Sequence, residues 1–164
     1  MILRVSQRLA QRINCPVSQT KEPILSSAPL QAWNGDVLTV AGIGSFALVS
    51  EESTLFSLLV PLKGIRSYEA FLSRLLPRLE AVAKEVGKPS LFQNAPILFT
   101  KRTDRRIIGS QSELMCLCGA YFEDALGPWN ETALPNLESW LNKTPMSLIG
   151  MESPARELQR IKTG

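Results

Sequence analysis

The chain contains no histidine. That absence removes the Ser-His-Asp and Cys-His arrangements, histidine-ligated zinc, and any imidazole base titrating near neutral pH. Catalysis would have to rest on Asp, Glu, Lys, Arg, Tyr or Cys. Cysteine is scarce as well. Cys15, Cys116 and Cys118 are odd in number and do not make a disulfide framework. Cys116-Leu-Cys118 lacks the two-residue spacer of a zinc knuckle, and no second pair completes four ligands, so both are expected to be small packing residues in a helix. No apolar run approaches the ~20 residues that cross a bilayer. The opening Met-Ile-Leu-Arg-Val-Ser-Gln-Arg interleaves charge with apolar residues and does not read as a secretory signal. The expected location is the cytoplasm, with no membrane contact, metal or cofactor.

What is present is ordinary globular material. Hydrophobic residues make up 45% and charged residues 20% of 164 positions, the balance of one folded domain over residues 1–164. The net charge of +3 is unevenly placed. Residues 1–106 hold 14 bases and 8 acids, whereas residues 107–142 hold five acids and no base. This polarity favours a partner of opposite charge, an acidic protein or a nucleic acid, at the basic face.

Ile2 to Val5 reads as a strand, and Ser6 as the N-cap of a helix on which Leu9 and Ile13 share a face. Residues 14–30 have no period and read as a long surface loop. Two β-rich runs, Val37–Val40 and Phe46–Val49, flank Gly42-Ile-Gly44 and read as an antiparallel hairpin. Gly42-Ile-Gly44 is no dinucleotide fingerprint, because the third glycine is missing and a strand follows. A third apolar run covers Leu55–Leu62. The clearest element is a helix from Ser67 to Val86, with Phe71, Leu75, Leu79 and Val82 on one stripe and Pro77 off it. Ile97–Phe99 reads as a strand. Ser110 and Glu113 then fit a capping box opening a helix to about Leu126. Leu134–Leu141 and Pro154–Ile161 read as two further helices. The order β-α-loop-β-β-β-α-β-α-α-α predicts an α+β fold, a mostly antiparallel sheet of about five strands packed against helices.

Function-like residues concentrate in one basic turn between strand and helix: Lys101, Arg102, Thr103, Asp104, Arg105 and Arg106, with Ser110 behind them. Arg and Lys beside hydroxyls suit phosphate or carboxylate, and backbone donors at Ser110 would add to them. The turn lacks the glycine spacing of a nucleotide loop and the aromatics of a single-strand binder. The paired carboxylates Glu51-Glu52 and Glu123-Asp124 would need a third acid, such as Asp36 or Asp104, to hold a metal. Trp33, Trp129 and Trp140 read as packing residues.

Three segments resemble a family of uncharacterised bacterial proteins, a domain of unknown function, some of whose members accompany plasmid ORF-3-like proteins. They are the opening Ile2-Leu-Arg-Val-Ser-Gln-Arg-Leu9, the stretch Phe99-Thr-Lys-Arg-Thr-Asp-Arg-Arg-Ile-Ile-Gly-Ser110, and the closing Leu141-Asn-Lys-Thr-Pro-Met-Ser147. Thr54-Leu-Phe-Ser57 fits as well. Where the family continues Gly-Ser with Met-Asn-Asp, this chain has Gln111-Ser112-Glu113, keeping an acid and losing the Asn. The resemblance implies membership and no activity. The residues themselves favour a binding or regulatory module that meets an acidic or phosphate-bearing partner. The alternative is a histidine-independent enzyme on a phosphoryl or nucleotide substrate, with Lys101, Arg102 and Arg106 binding charge and Asp104 as base. A structural partner in a larger assembly is the third reading.

Overall fold

Two strand types meet in one sheet, and the reason is where the first strand lies. The computed structural model describes residues 1–17, 28–89, 91–92, 96–124 and 131–163. Strand β1 (Ile2–Val5) is apolar at Ile2, Leu3 and Val5, all buried, as befits a central strand covered on both faces. It pairs in parallel with β2 (Ala32–Val40) on one side and with β5 (Leu98–Lys101) on the other. Strands β3 (Gly44–Glu51) and β4 (Ser57–Pro61) add antiparallel, giving the order β4-β3-β2-β1-β5. The α+β class and the five strands are as expected, whereas the sheet is mixed, not mostly antiparallel. Only β3 runs against the other four. Hairpin signals at Gly42-Ile-Gly44 revealed the local pairings. The parallel ones depend on long crossovers, residues 6–31 before β2 and 62–97 before β5, and no hairpin turn announces such pairing.

Helices cover both faces. Helix α1 (Gln7–Arg12) is capped by Ser6, whose Oγ accepts from the Leu9 amide at 3.1 Å. Its Leu9 packs so close to β2 that a Cβ at Gly35 would lie 2.7 Å from Leu9 Cδ2, so glycine is what lets the helix approach. Helix α2 (Tyr68–Glu85) starts at the Ser67 cap and buries Phe71, Leu75, Leu79 and Val82, with Pro77 exposed on the far side. These residues join Leu3, Val5, Trp33, Ala47 and Val60 in the core on one face. On the other face, Phe46, Leu48 and Leu59 meet helix α3 (Arg105–Asp124) and helix α4 (Leu134–Lys143). The alternation of Phe46 and Leu48 with Ala47 and Val49 is the strand period of two dividing one element between two cores. Helix α5 (Pro154–Thr163) contributes Leu158 to the first core. Most of the expected loop, residues 18–27, lies outside the described residues, as does Trp129. No helix among the described residues is long and apolar enough to cross a membrane.

The outer edge of β4 is buried, and side chains satisfy it. Asn142 Oδ1 accepts from the Ser57 amide at 2.7 Å while its Nδ2 donates to Ser57 O at 2.8 Å, copying the bonds of a neighbouring strand. Glu138 Oε1 accepts from the Leu59 amide, and Arg78 donates to Leu59 O. Arg74 donates to the Pro61 carbonyl, where proline has no N–H to satisfy. The spacing explains the fit. Residues four apart on a helix rise ~6 Å, close to the ~6.6 Å between alternate strand residues, so 138/142 and 74/78 each match a pair of outward-facing positions. Replacing Asn142 with Ala leaves both Ser57 groups buried and unpaired, and is expected to cost about 2–5 kcal/mol, measured as the shift in urea unfolding midpoint. A loss below about 0.5 kcal/mol would show that this edge is not held by Asn142.

Candidate cationic crevice at the ends of β1 and β5

Helices α1 and α3 leave the neighbouring strands β1 and β5 toward opposite faces, since Leu9 belongs to one core and Ile107 to the other. Between such connections an open sheet leaves a crevice at its carboxyl end. A cavity of about 600 Å³ lies there. One wall comes from Ser6, Gln7, Gln11 and Asn14, the other from Lys101, Arg102 and Ile108. Its size suits a small molecule or the end group of a larger partner.

The wall residue Arg102 is fixed from behind. Its Nη2 donates to Asp36 Oδ2 at 2.7 Å and its Nη1 to Gln111 Oε1 at 2.6 Å. Gln111, fully buried, donates onward to the Asn34 and Leu48 carbonyls at 2.7 and 3.1 Å, so α3 is bonded through Arg102 and the sheet at once. Asp36 also accepts from its neighbour's amide, Val37 N, at 2.7 Å, from the Ser6 hydroxyl, and from Arg8 at 3.3 Å. The two ion pairs are unequal. The Arg102 side chain is 12% exposed and Arg8 68%, so solvent screens the second much more. Burial pushes the Asp36 pKa up, but the bonds from Ser6 and Val37 and the charges of Arg102 and Arg8 outweigh it and hold it below the ordinary 3.8. Asp36 is therefore a fixed anion that positions cations. Lys101 is exposed and pairs with no carboxylate among the described residues. Among the described lining residues Lys101 and Arg102 carry positive charge and none is a carboxylate, while Asp36 and Arg8 pair behind them. Donors are in excess, since the buried Asn34 Nδ2 and Arg102 Nε find no acceptor among the described residues.

Of the basic turn, Lys101 and Arg102 line the crevice together with Asn14 and Cys15 from the first residues of the 14–30 segment. The Asn142–Ser147 turn is not part of it; Asn142 serves the β4 edge. Thr103 and Arg105 are exposed and outside the lining, and Arg106 pairs locally with Asp104 at 2.9 Å. The helix begins earlier than expected. Asp104 caps α3, accepting from the Arg106 amide at 2.9 Å, and Ser110 lies buried within the helix one and a half turns on. No capping box forms at Ser110 and Glu113, and no free backbone donors stand behind Ser110, because those amides already bond within the helix. Hydrogen bonds from the Arg106 side chain and amide hold the Asp104 carboxyl below its ordinary pKa, which makes it a weak base. Burial raises the Cys15 thiol to about 11, with Glu69 adding to the shift, so it stays protonated at neutral pH. Cys118 is buried as expected and raised to about 12 by the same desolvation, whereas Cys116 is exposed and does not pack.

Of the two acid pairs, Glu51-Glu52 is spent elsewhere, Glu123 is exposed on α3, and the Asp124 side chain lies outside the described residues. Glu51 accepts from the Leu30, Ser53 and Thr54 amides and closes the β3–β4 turn, while Glu52 pairs with Arg4 at 2.8 Å. Trp33 is fully buried, its indole N–H donating to Leu30 O, and Trp140 is exposed beside Tyr121. Sequence reasoning missed Arg8, Asn34 and Gln111. Gln111 had a readable signal, since it lies on the stripe Ile107, Gln111, Leu114, Cys118, where a polar residue on an apolar face has to find partners.

The fold and the site together define an α+β domain with a mixed open sheet and a cationic crevice at the carboxyl ends of two parallel strands. A family model described as Domain of unknown function (DUF6933) matches residues 2–157, and the chain belongs to that family. No curated protein matches the chain.

The Asp36 arrangement predicts a specific acid response. Because its folded pKa is depressed, Asp36 contributes stability that is fully present above the unfolded value near 3.8 and is lost as pH falls through the folded value. Asp36→Asn should remove that part of the acid limb, seen as a shallower fall of the unfolding midpoint below pH 4. Asp36→Ala should cost about 3–5 kcal/mol at neutral pH, because Arg102 stays nearly buried without a counterion. An Asp36→Asn protein with the wild-type acid limb would contradict this assignment.

Proposed function

We propose that the chain is a cytoplasmic binding module that takes the anionic group of an acidic or phosphate-bearing partner into the crevice beside its basic turn. The carrying observation is the crevice wall itself. Lys101 and Arg102 face one cavity, and Arg102 is locked by Asp36 and Gln111. A guanidinium already held in place loses little freedom when it meets an anion, and its planar fork suits phosphate or carboxylate. Gln7, Gln11, Asn14 and Ser6 add polar groups on the opposite wall for recognition of the attached body. The chemistry of the acids favours binding over catalysis. Asp36 and Asp104 both have lowered pKa values and hydrogen-bonded positions, which suits holding cations and not removing protons. The resemblance to bacterial proteins found beside plasmid ORF-3-like proteins supports a bacterial setting for this module.

The test is a calorimetric titration with pyrophosphate, chosen as a compact phosphate-bearing probe. Binding is expected at low salt and should weaken steeply as salt rises. Lys101→Ala should bind about tenfold less tightly, the loss of one charge-assisted bond. Arg105→Ala, outside the crevice, should retain most of the affinity. Absence of binding, or equal binding by the Lys101→Ala protein, would overturn the reading.

A further inference from the structure

We propose that the chain carries a second anion site at the carboxyl end of β4, built for a phosphate monoester with an apolar body. A cavity of about 580 Å³ lies there, formed where α2 and α4 close over the edge strand. Three cations reach it: Lys63 from the turn after β4, and Arg74 and Arg78 from α2. Among the described residues the only carboxylate paired with them is Glu138, which binds Arg78 at 2.5 Å, so the described charges leave a surplus of two positive. Lys63 and Arg74 form no ion pair among the described residues. That surplus matches the two negative charges of a phosphate monoester near neutral pH.

The cations are preorganised by the fold. Arg78 is held by Leu59 O and by both oxygens of Glu138, and Arg74 by Pro61 O at 3.0 Å. A guanidinium has five N–H donors, so sealing the edge of β4 leaves each arginine with donors to offer a ligand. The two arginines are four residues apart on α2 and therefore stand on one face, a turn apart. Val60, Pro61, Leu134 and Pro135 supply an apolar wall to the same cavity. The other crevice presents Gln7, Gln11 and Asn14 on its wall, and this cavity has no such uncharged polar group among its described lining residues. In the sheet order three strand spacings separate β4 from β1, about 14 Å, so one small ligand cannot occupy both.

The probe is phenyl phosphate, with inorganic phosphate and benzyl alcohol as controls, titrated by calorimetry into the full chain. Phenyl phosphate should bind more tightly than inorganic phosphate, and benzyl alcohol should give no heat. Lys63→Ala should weaken phenyl phosphate about tenfold, and Lys63→Ala with Arg74→Gln about a hundredfold. Glutamine at 74 retains a donor for Pro61 O, and Lys63 makes no hydrogen bond among the described residues, so Lys63→Ala alone is informative if the double variant is destabilised. Lys101→Ala should leave an undiminished phenyl phosphate site whose binding shifts the backbone amide resonances of residues 62–65. The proposal is overturned if phenyl phosphate does not bind, if Lys63→Ala binds it as tightly as the wild-type chain, or if Lys101→Ala abolishes those shifts.

Discussion

A strand at the buried edge of a sheet must find a partner for every outward N–H and C=O, and in this fold β4 finds them in side chains. Asn142 and Glu138 answer from α4, Arg74 and Arg78 from α2, each pair spaced by one helical turn against two strand residues. The consequence is larger than the hydrogen bonds themselves. Those bonds set the height of both helices along the strand, and thereby align the two cores on either face of the sheet. They also keep the edge from templating another strand, the usual hazard of an open sheet. Arg78 and Glu138 are the costly part, since Glu138 is nearly buried and would lose its counterion if Arg78 were removed.

The other end of the sheet uses the same logic with a different result. There Arg102, Asp36 and Gln111 tie β5, β2 and α3 together through a polar cluster amid apolar neighbours. Here too a buried carboxylate holds an arginine, and here too the arginine faces a cavity. The two cavities lie at the carboxyl end of strands running in the same direction, β4 at one side and β1 with β5 at the other. Structural cations thus become recognition cations without extra ordering cost. The dependence is mutual, because a variant that loosens the cluster alters both stability and the crevice wall.

Much of this was legible in the residues. The order of elements, the Ser6 and Ser67 caps and the hairpin follow from local chemistry, and the structure has them at those positions. The family resemblance also acquires physical content. Asn142 of the closing segment bonds Ser57 of Thr54-Leu-Phe-Ser57, and Arg102 of the middle segment bonds Asp36. What stayed hidden was non-local. Parallel pairing of β1 with β5 joins residues nearly a hundred positions apart, and no turn announces it. The start of α3 was obscured for an electrostatic reason. Ser110 and Glu113 match the capping-box pattern, whereas two arginines in the actual first turn oppose the helix dipole; Asp104 offsets them by pairing with Arg106 while capping the helix. Of the seven residues singled out, two line the crevice, and Asp36 and Gln111 hold Arg102 in its wall from behind.

The central claim is that the polar cluster holds a preformed anion crevice between the β1–α1 and β5–α3 connections. Hydrogen–deuterium exchange with and without pyrophosphate tests it most directly, since it reads both walls in one experiment. The account predicts slower exchange over residues 6–12 and 101–108 together, with the hairpin around residues 40–44 unchanged. Equal exchange in both states, or protection confined to the hairpin, would contradict it.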